Sequence, residues 1–222
     1  MKTLKTFLFD RFNIWFPLFS LTVFSIFLLS VRLKITHSFF YLFLVWNLFL
    51  AMIPFFISTY MKNQKQIKKL KLSFLLIVWL LFLPNAPYLL TDFIHLRLSP
   101  LEWIGFDSLM IAVFAVTGLA FYVVSVKEMK QLCFKHFKQK IVLKSLIILP
   151  FAVSFGMYLG RVLRWNSWDI LHNPLRLFMD VFTIITNPIE NMEAWAFTLF
   201  FGLFLKLVYW IYEEFLFRFI GI

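Results

Sequence analysis

Six stretches of the chain, about 14–31, 38–61, 72–90, 108–126, 143–163 and 194–212, are apolar enough to serve as membrane helices. A helix needs about 20 such residues to cross roughly 30 Å of hydrocarbon. In lipid every backbone N–H and C=O has to be satisfied inside the segment, so these stretches predict helices. The fourth, SLMIAVFAVTGLAFYVVSV, carries no charge. The first is too long for a signal-peptide core and lacks a small-x-small cleavage site, so it is expected to be retained. Composition agrees: 62% of residues are hydrophobic and 32 are Phe, against about 45–50% apolar in soluble domains. The reading is an all-α integral membrane six-helix bundle forming one multi-pass domain over 1–222. A water-soluble globule is excluded. With Cys133 the single cysteine, so is an internally disulfide-bonded scaffold.

Basic residues set the expected orientation. With a cytoplasmic N-terminus, fifteen Lys and Arg face inward: Lys2, Lys5, Arg11, five lysines from Lys62 to Lys71, six from Lys127 to Lys144, and Arg218. Six face outward: Arg32, Lys34, Arg97, Arg161, Arg164 and Arg176. The opposite orientation would place both Lys-rich loops outside, so N-in, C-in in the cell membrane is expected. The net charge of +11 is then a topology signal with attraction to anionic inner-leaflet lipid. Nucleic acid is not an expected partner, because the lysines sit in short loops with no recognition fold around them. Inner cations are nearly all Lys, whereas outer ones are nearly all Arg, the side chain suited to fixed two-point pairing.

The outer connections carry the expected structure. Ser99-Pro100-Leu101-Glu102 reads as a helix start, with Ser as N-cap, Pro at the first helical position and Glu reaching back. Asn173-Pro174 and Asn187-Pro188 bracket LRLFMDVFTIIT, too short to span and too apolar for a free loop. A short interfacial or re-entrant helix on the outer face is predicted there. Trp103, Trp165, Trp168 and Trp195 suit an interface.

Chemistry-bearing residues gather at two places. The third span ends in FLPNAPYLLTDFIHL, where Pro84 and Pro87 break the helical ladder and leave carbonyls one turn earlier to be satisfied by protein, water or ligand. Asn85, Tyr88, Thr91, Asp92 and His95 follow. The fifth span ends in FGMYLGRVLRWNSWDILHNP. Arg161 and Arg164 at i, i+3 are expected on one helix face, ahead of Asn166, Ser167, Asp169 and His172. Both spans exit on the outer side, so these tips can face each other.

PNAPYLLTD with the nearby His95, and YLGRVLRWNSWD, resemble the two signature stretches of an uncharacterised prokaryotic integral membrane family, domain of unknown function family 1361. The resemblance extends over essentially the whole chain. It implies a multi-pass layout and that the two segments matter together. It supplies no activity and no role for any residue.

Three readings of the residues stand side by side. Arg161 and Arg164, with Arg97, suit a phosphate or carboxylate clamp, with Asn85, Tyr88, Asp92, Asn166 and Asp169 completing a ligand site. Asp92, His95 or Asp169 would then be the candidate acid, base or nucleophile. Alternatively Asp92, Asp107 and Asp169 neutralise the arginines in a structural network. Thirdly, Asp92/His95 and Asp169/His172, each Asp-x-x-His, form a weak metal-ligand set; no metal and no cofactor is assigned. Glu213-Glu214 with Arg218 matches the EExxxR element of intramembrane CAAX-type proteases, but their downstream His-bearing helices do not follow, so chance is expected. Neither an SGH phosphatase motif nor a rhomboid-like GxSG serine is found. The Phe-rich runs read as lipid-facing bulk. The functional expectation is a bilayer-embedded protein that binds or processes an anionic, lipid-linked or phosphate-bearing ligand at its extracytoplasmic face. A non-catalytic accessory or assembly protein is the alternative, and a small transporter the third.

Overall fold

The computed structural model describes residues 12–64 and 66–220, so Lys2, Lys5, Arg11 and Lys65 of the inner basic set lie outside the described residues. Helices are the only regular structure among the described residues: α1 (Phe12–Thr36), α2 (Phe43–Lys62, led by a 3-10 turn at Phe40–Leu42), α3 (Lys69–Phe82), α4 (Asn85–Tyr88), a 3-10 stretch (Leu89–Leu98), α5 (Ile104–His136), α6 (Gln139–Arg161), α7 (Asp169–His172), α8 (Pro174–Thr186) and α9 (Met192–Ile220). Six helical segments among them are long and apolar enough to cross a membrane, Phe12–Thr36, Phe40–Lys62, Lys69–Leu98, Ile104–His136, Gln139–Arg161 and Met192–Glu214. They contain the six stretches read from the sequence, apart from residues 38–39 of the second and 162–163 of the fifth. Phe19, Phe74 and Phe200 are each about two-thirds exposed (67%, 64% and 68%). Apolar surface on this scale needs a non-aqueous surround, so the fold is that of an all-α multi-pass membrane protein.

The chain forms two compact units. The first holds the described residues through Phe56 together with Asn85–Ser125. The second holds Ile57–Pro84 and the described residues from Val126 onward. In the first, Phe55 packs between Trp15 and Phe121, with ring centroids at 5.0 and 5.5 Å, and the Ser25 and Thr117 hydroxyls meet at 3.0 Å in a buried contact between α1 and α5. Gly118 permits a close approach here: a Cβ would lie 2.2 Å from the Ala86 carbonyl oxygen. In the second unit, Tyr158, Ile184 and Ala194 form a buried cluster flanked by Phe155, Leu159, Trp195 and Phe197.

The break after α3 has the cause read from the sequence. Leu83 closes the ladder by donating to the Trp79 carbonyl at 2.9 Å. Pro84 then has no N–H to give, and the helix re-forms for a single turn as α4. The Leu81 carbonyl accepts from the Ser167 hydroxyl at 3.0 Å. Gly156 of α6 leaves room for the Pro84 ring, whose Cγ lies 2.5 Å from where a Cβ would stand. A carbonyl at the proline break of span three is thus satisfied from the tip of span five.

Two local expectations are corrected. The fourth span does not start at Ser99: residues 101–103 form a turn and α5 begins at Ile104. The Ser99 hydroxyl donates to the Asp107 carboxylate instead of capping, a charge-assisted bond stronger than a neutral cap. Arg161 and Arg164 do not share a helix face, because α6 ends at Arg161. Arg164 adopts φ 60°, which lets the Trp165 N–H reach back to the Leu159 carbonyl at 3.0 Å.

Candidate functional site

The sequence candidates divide between the two units, and each half has its own geometry. Asn85, Tyr88, Asp92 and His95 belong to the first unit. Asp92 is fully buried. Its Oδ2 accepts from the Asn47 side-chain amide of α2 at 3.1 Å, and its Oδ1 lies 3.9 Å from His95 Nε2. The Asp-x-x-His spacing does bring carboxylate and imidazole to one side, through a 3-10 helix in place of an α-helix. The His95 ring is also packed against Phe43 at 4.6 Å and Phe40 at 6.1 Å. Tyr88 lends its carbonyl to the Thr91 hydroxyl at 2.6 Å.

Arg161, Arg164, Asn166, Asp169 and His172 belong to the second unit. Asp169 Oδ2 accepts from the Asn166 backbone N–H at 2.6 Å and from its side-chain amide at 3.1 Å, closing the turn that follows Arg164. His172 is exposed, with Nδ1 3.3 Å from the Trp168 carbonyl oxygen. Arg164 is exposed and no carboxylate among the described residues pairs with it. Trp165 joins this turn to α8: its indole N–H donates to Asp180 Oδ2 at 2.9 Å, and the Arg176 guanidinium lies 5.9 Å from its ring. The side of α8 that bears Arg176 and Asp180 is therefore tied down. Leu175, Phe178, Met179, Phe182 and Ile185 are exposed, an apolar stripe at helical spacing. Thirteen residues of helix extend about 20 Å, too short to span, so α8 has the character of an interfacial helix.

No group of three or more His, Cys, Asp or Glu side chains among the described residues is gathered as a metal-binding set.

A buried two-point charge contact involves a residue that the sequence reading left as a bare outer cation. Arg32 of α1 donates from Nε to Asp107 Oδ1 at 2.5 Å and from Nη2 to Oδ2 at 3.1 Å. Arg32 is 5% exposed and Asp107 is fully buried. Trp103 covers the guanidinium at 5.0 Å from its ring centroid. Glu128 of α5 was likewise passed over. It is 2% exposed and its Oε2 accepts from the Thr59 hydroxyl at 2.6 Å and the Ser58 hydroxyl at 3.1 Å, with Lys62 Nζ 3.8 Å from Oε1. The available signal was polarity inside apolar stretches: Arg32, Asn47, Ser58, Thr59 and Glu128 all lie in or beside membrane-length helices, where such groups seek partners.

A family model described as "Protein of unknown function (DUF1361)" matches residues 46–208. No curated protein and no solved structure matches the chain.

Proposed function

Since the chain belongs to the DUF1361 family of proteins of unknown function, we propose that it binds an anionic, phosphate-bearing ligand, free or lipid-linked, at the extracytoplasmic face of the cell membrane. Arg164 carries the proposal. It is exposed, held at φ 60°, and has no carboxylate partner among the described residues. The acids nearest in sequence are committed elsewhere, Asp169 to Asn166 and Asp180 to the Trp165 indole. A left-handed backbone costs a non-glycine residue about 1–2 kcal/mol, and such strain gathers at positions kept for function. The exposed apolar stripe of α8 supports a turn close to lipid head groups, where guanidinium forks meet phosphate. Arg161 stands at the end of the preceding helix, and Asn166 and Asp169 shape the turn.

The reading is of binding, with chemistry not required: Asp92 is enclosed and Asp169 spends an oxygen on its own turn. Orientation rests on the Lys-rich 62–71 and 127–144 segments, which favour cytoplasmic termini. The test uses the full chain in phosphatidylcholine nanodiscs. Native mass spectrometry would measure retention of inorganic phosphate and of added phosphatidylglycerol, with a reporter fused after Asn187 to establish sidedness. Arg164→Ala should weaken retention about tenfold, as expected for a lost charge-assisted contact. Unchanged retention, or a cytoplasmic reporter, defeats the proposal. The accessory-protein alternative, with an Arg/Asp network that only shapes this face, is favoured by one observation, the Arg32–Asp107 pair.

A further inference from the structure

In the second unit, α3, the end of α5 and the start of α6 line a groove of about 310 Å³, with Leu76, Trp79, Met129, Cys133, Phe137 and Leu146 on its walls. Its α5 wall runs from Val126 to Phe137, about 17 Å of helix at ~1.5 Å per residue. Two hydrophilic side chains on the wall are already committed. The Ser145 hydroxyl donates to the Ile141 carbonyl at 3.0 Å, and Lys130 pairs with Glu213. A polar occupant would therefore give up water and gain little in return. On the same stretches of α3 and α6, Phe74, Ile77, Ile147 and Ile148 are more than half exposed, and both stretches belong to membrane-length helices. The groove thus opens toward hydrocarbon, where the occupant at hand is an acyl chain.

Charge at the mouth decides which lipid supplies that chain. Phe137 and Ile141 line the groove on either side of the turn that joins α5 to α6. Lys138 and Lys140 lie between them, with Lys135 just before and Lys144 one turn later. All four are exposed, and no carboxylate among the described residues pairs with them. The sequence holds no Asp or Glu between Glu128 and Asp169, and Glu128 is buried against Ser58 and Thr59. This end of the groove is therefore rimmed by positive charge that no neighbouring acid offsets. Lysine ammonium groups hold phosphate as point charges, and basic residues beside a membrane helix attract anionic lipid. We propose that the groove holds one acyl chain of an anionic phospholipid, with the phosphate among Lys138, Lys140 and Lys144. On the orientation proposed above, that lipid belongs to the cytoplasmic leaflet. The site stands at the start of α6, whereas Arg164 follows its far end, and it does not depend on the anion site proposed there.

The test uses the full chain in phosphatidylcholine nanodiscs doped with phosphatidylglycerol that carries a photoreactive diazirine midway along one acyl chain. The matching diazirine phosphatidylcholine is the control without net charge. After photolysis, peptide mass spectrometry locates the adducts. Phosphatidylglycerol adducts are expected in segments 76–80 and 126–149, about tenfold above the phosphatidylcholine yield. Lys138→Gln combined with Lys140→Gln alters only the exposed turn and should bring the phosphatidylglycerol yield down to the control level. Ser145→Phe, which fills the groove, should lower the yield from both lipids. Arg164→Gly should leave these adducts unchanged, so the two sites are read separately. The proposal is overturned if phosphatidylcholine labels the groove as strongly as phosphatidylglycerol, which would mean a groove wetted by bulk lipid. Adducts confined to other segments, or parental labelling in the lysine double variant or in Ser145→Phe, would overturn it as well.

Discussion

Arg32 and Asp107 stand 75 residues apart in sequence, yet their side chains meet in a two-point ion pair with Nε 2.5 Å from Oδ1, both buried. Ser99 adds a third donor to the same carboxylate. This contact ties α1 to the start of α5.

Breaking one side of that pair should cost more than removing both. Arg32→Leu or Asp107→Leu alone leaves a buried charge and is expected to lose about 3–5 kcal/mol. The double Leu variant should recover a large part of that loss. A denaturant-titrated unfolding cycle in detergent measures the coupling; strictly additive losses would show that the pair is not coupled.

Gly118→Ala should be severely destabilising. The added Cβ would fall 2.2 Å from the Ala86 carbonyl oxygen and 2.7 Å from Leu89 Cδ1. Backbone cannot swing aside, so the loss should reach or exceed the about 1–3 kcal/mol typical of overpacking. For Gly202→Ala the nearest atoms are those of the Phe151 ring, at 2.4 Å, and a ring can tilt. This variant should melt closer to the parent than Gly118→Ala does, and the reverse order would contradict the packing described.

Thr59→Val keeps the shape of the side chain but removes the 2.6 Å bond to Glu128. Hydrogen bonds to charged groups are worth about 1.5–3 kcal/mol, and a loss of that order is expected. Glu128→Gln keeps an acceptor for Ser58 and Thr59 and should be milder. Thermal melts of the two variants side by side decide the matter.

Arg164→Gly separates stability from function. Glycine adopts φ 60° without steric cost, so the melting temperature should hold or rise. Retention of inorganic phosphate should fall in the same preparation. A variant that melts much lower would mean that the Arg164 side chain is chiefly structural.

Much of the architecture was legible because lipid leaves a chain few choices. Apolar runs of membrane length had to be helices, and all six appear. Pro84 and Pro87 announced a broken helix, and a short helix between Asn173-Pro174 and Asn187-Pro188 followed from a segment too greasy for a loop. The misreadings were local. Ser99 looked like a cap until Asp107 was seen to claim its hydroxyl. The i, i+3 spacing of Arg161 and Arg164 presumed a helix that stops at the first of them.

The sequence by itself determined the number and place of the membrane-length helices and the position of the proline break, because hydrophobic transfer and the missing proline N–H act along the chain. Tertiary structure alone decided the partners of the buried polar groups: Arg32 with Asp107, Asn47 with Asp92, Thr59 with Glu128 and Ser167 with the Leu81 carbonyl. Such pairings depend on which helix faces meet. A polar residue in an apolar segment declares that it needs a partner, and the geometry of packing chooses which one it gets.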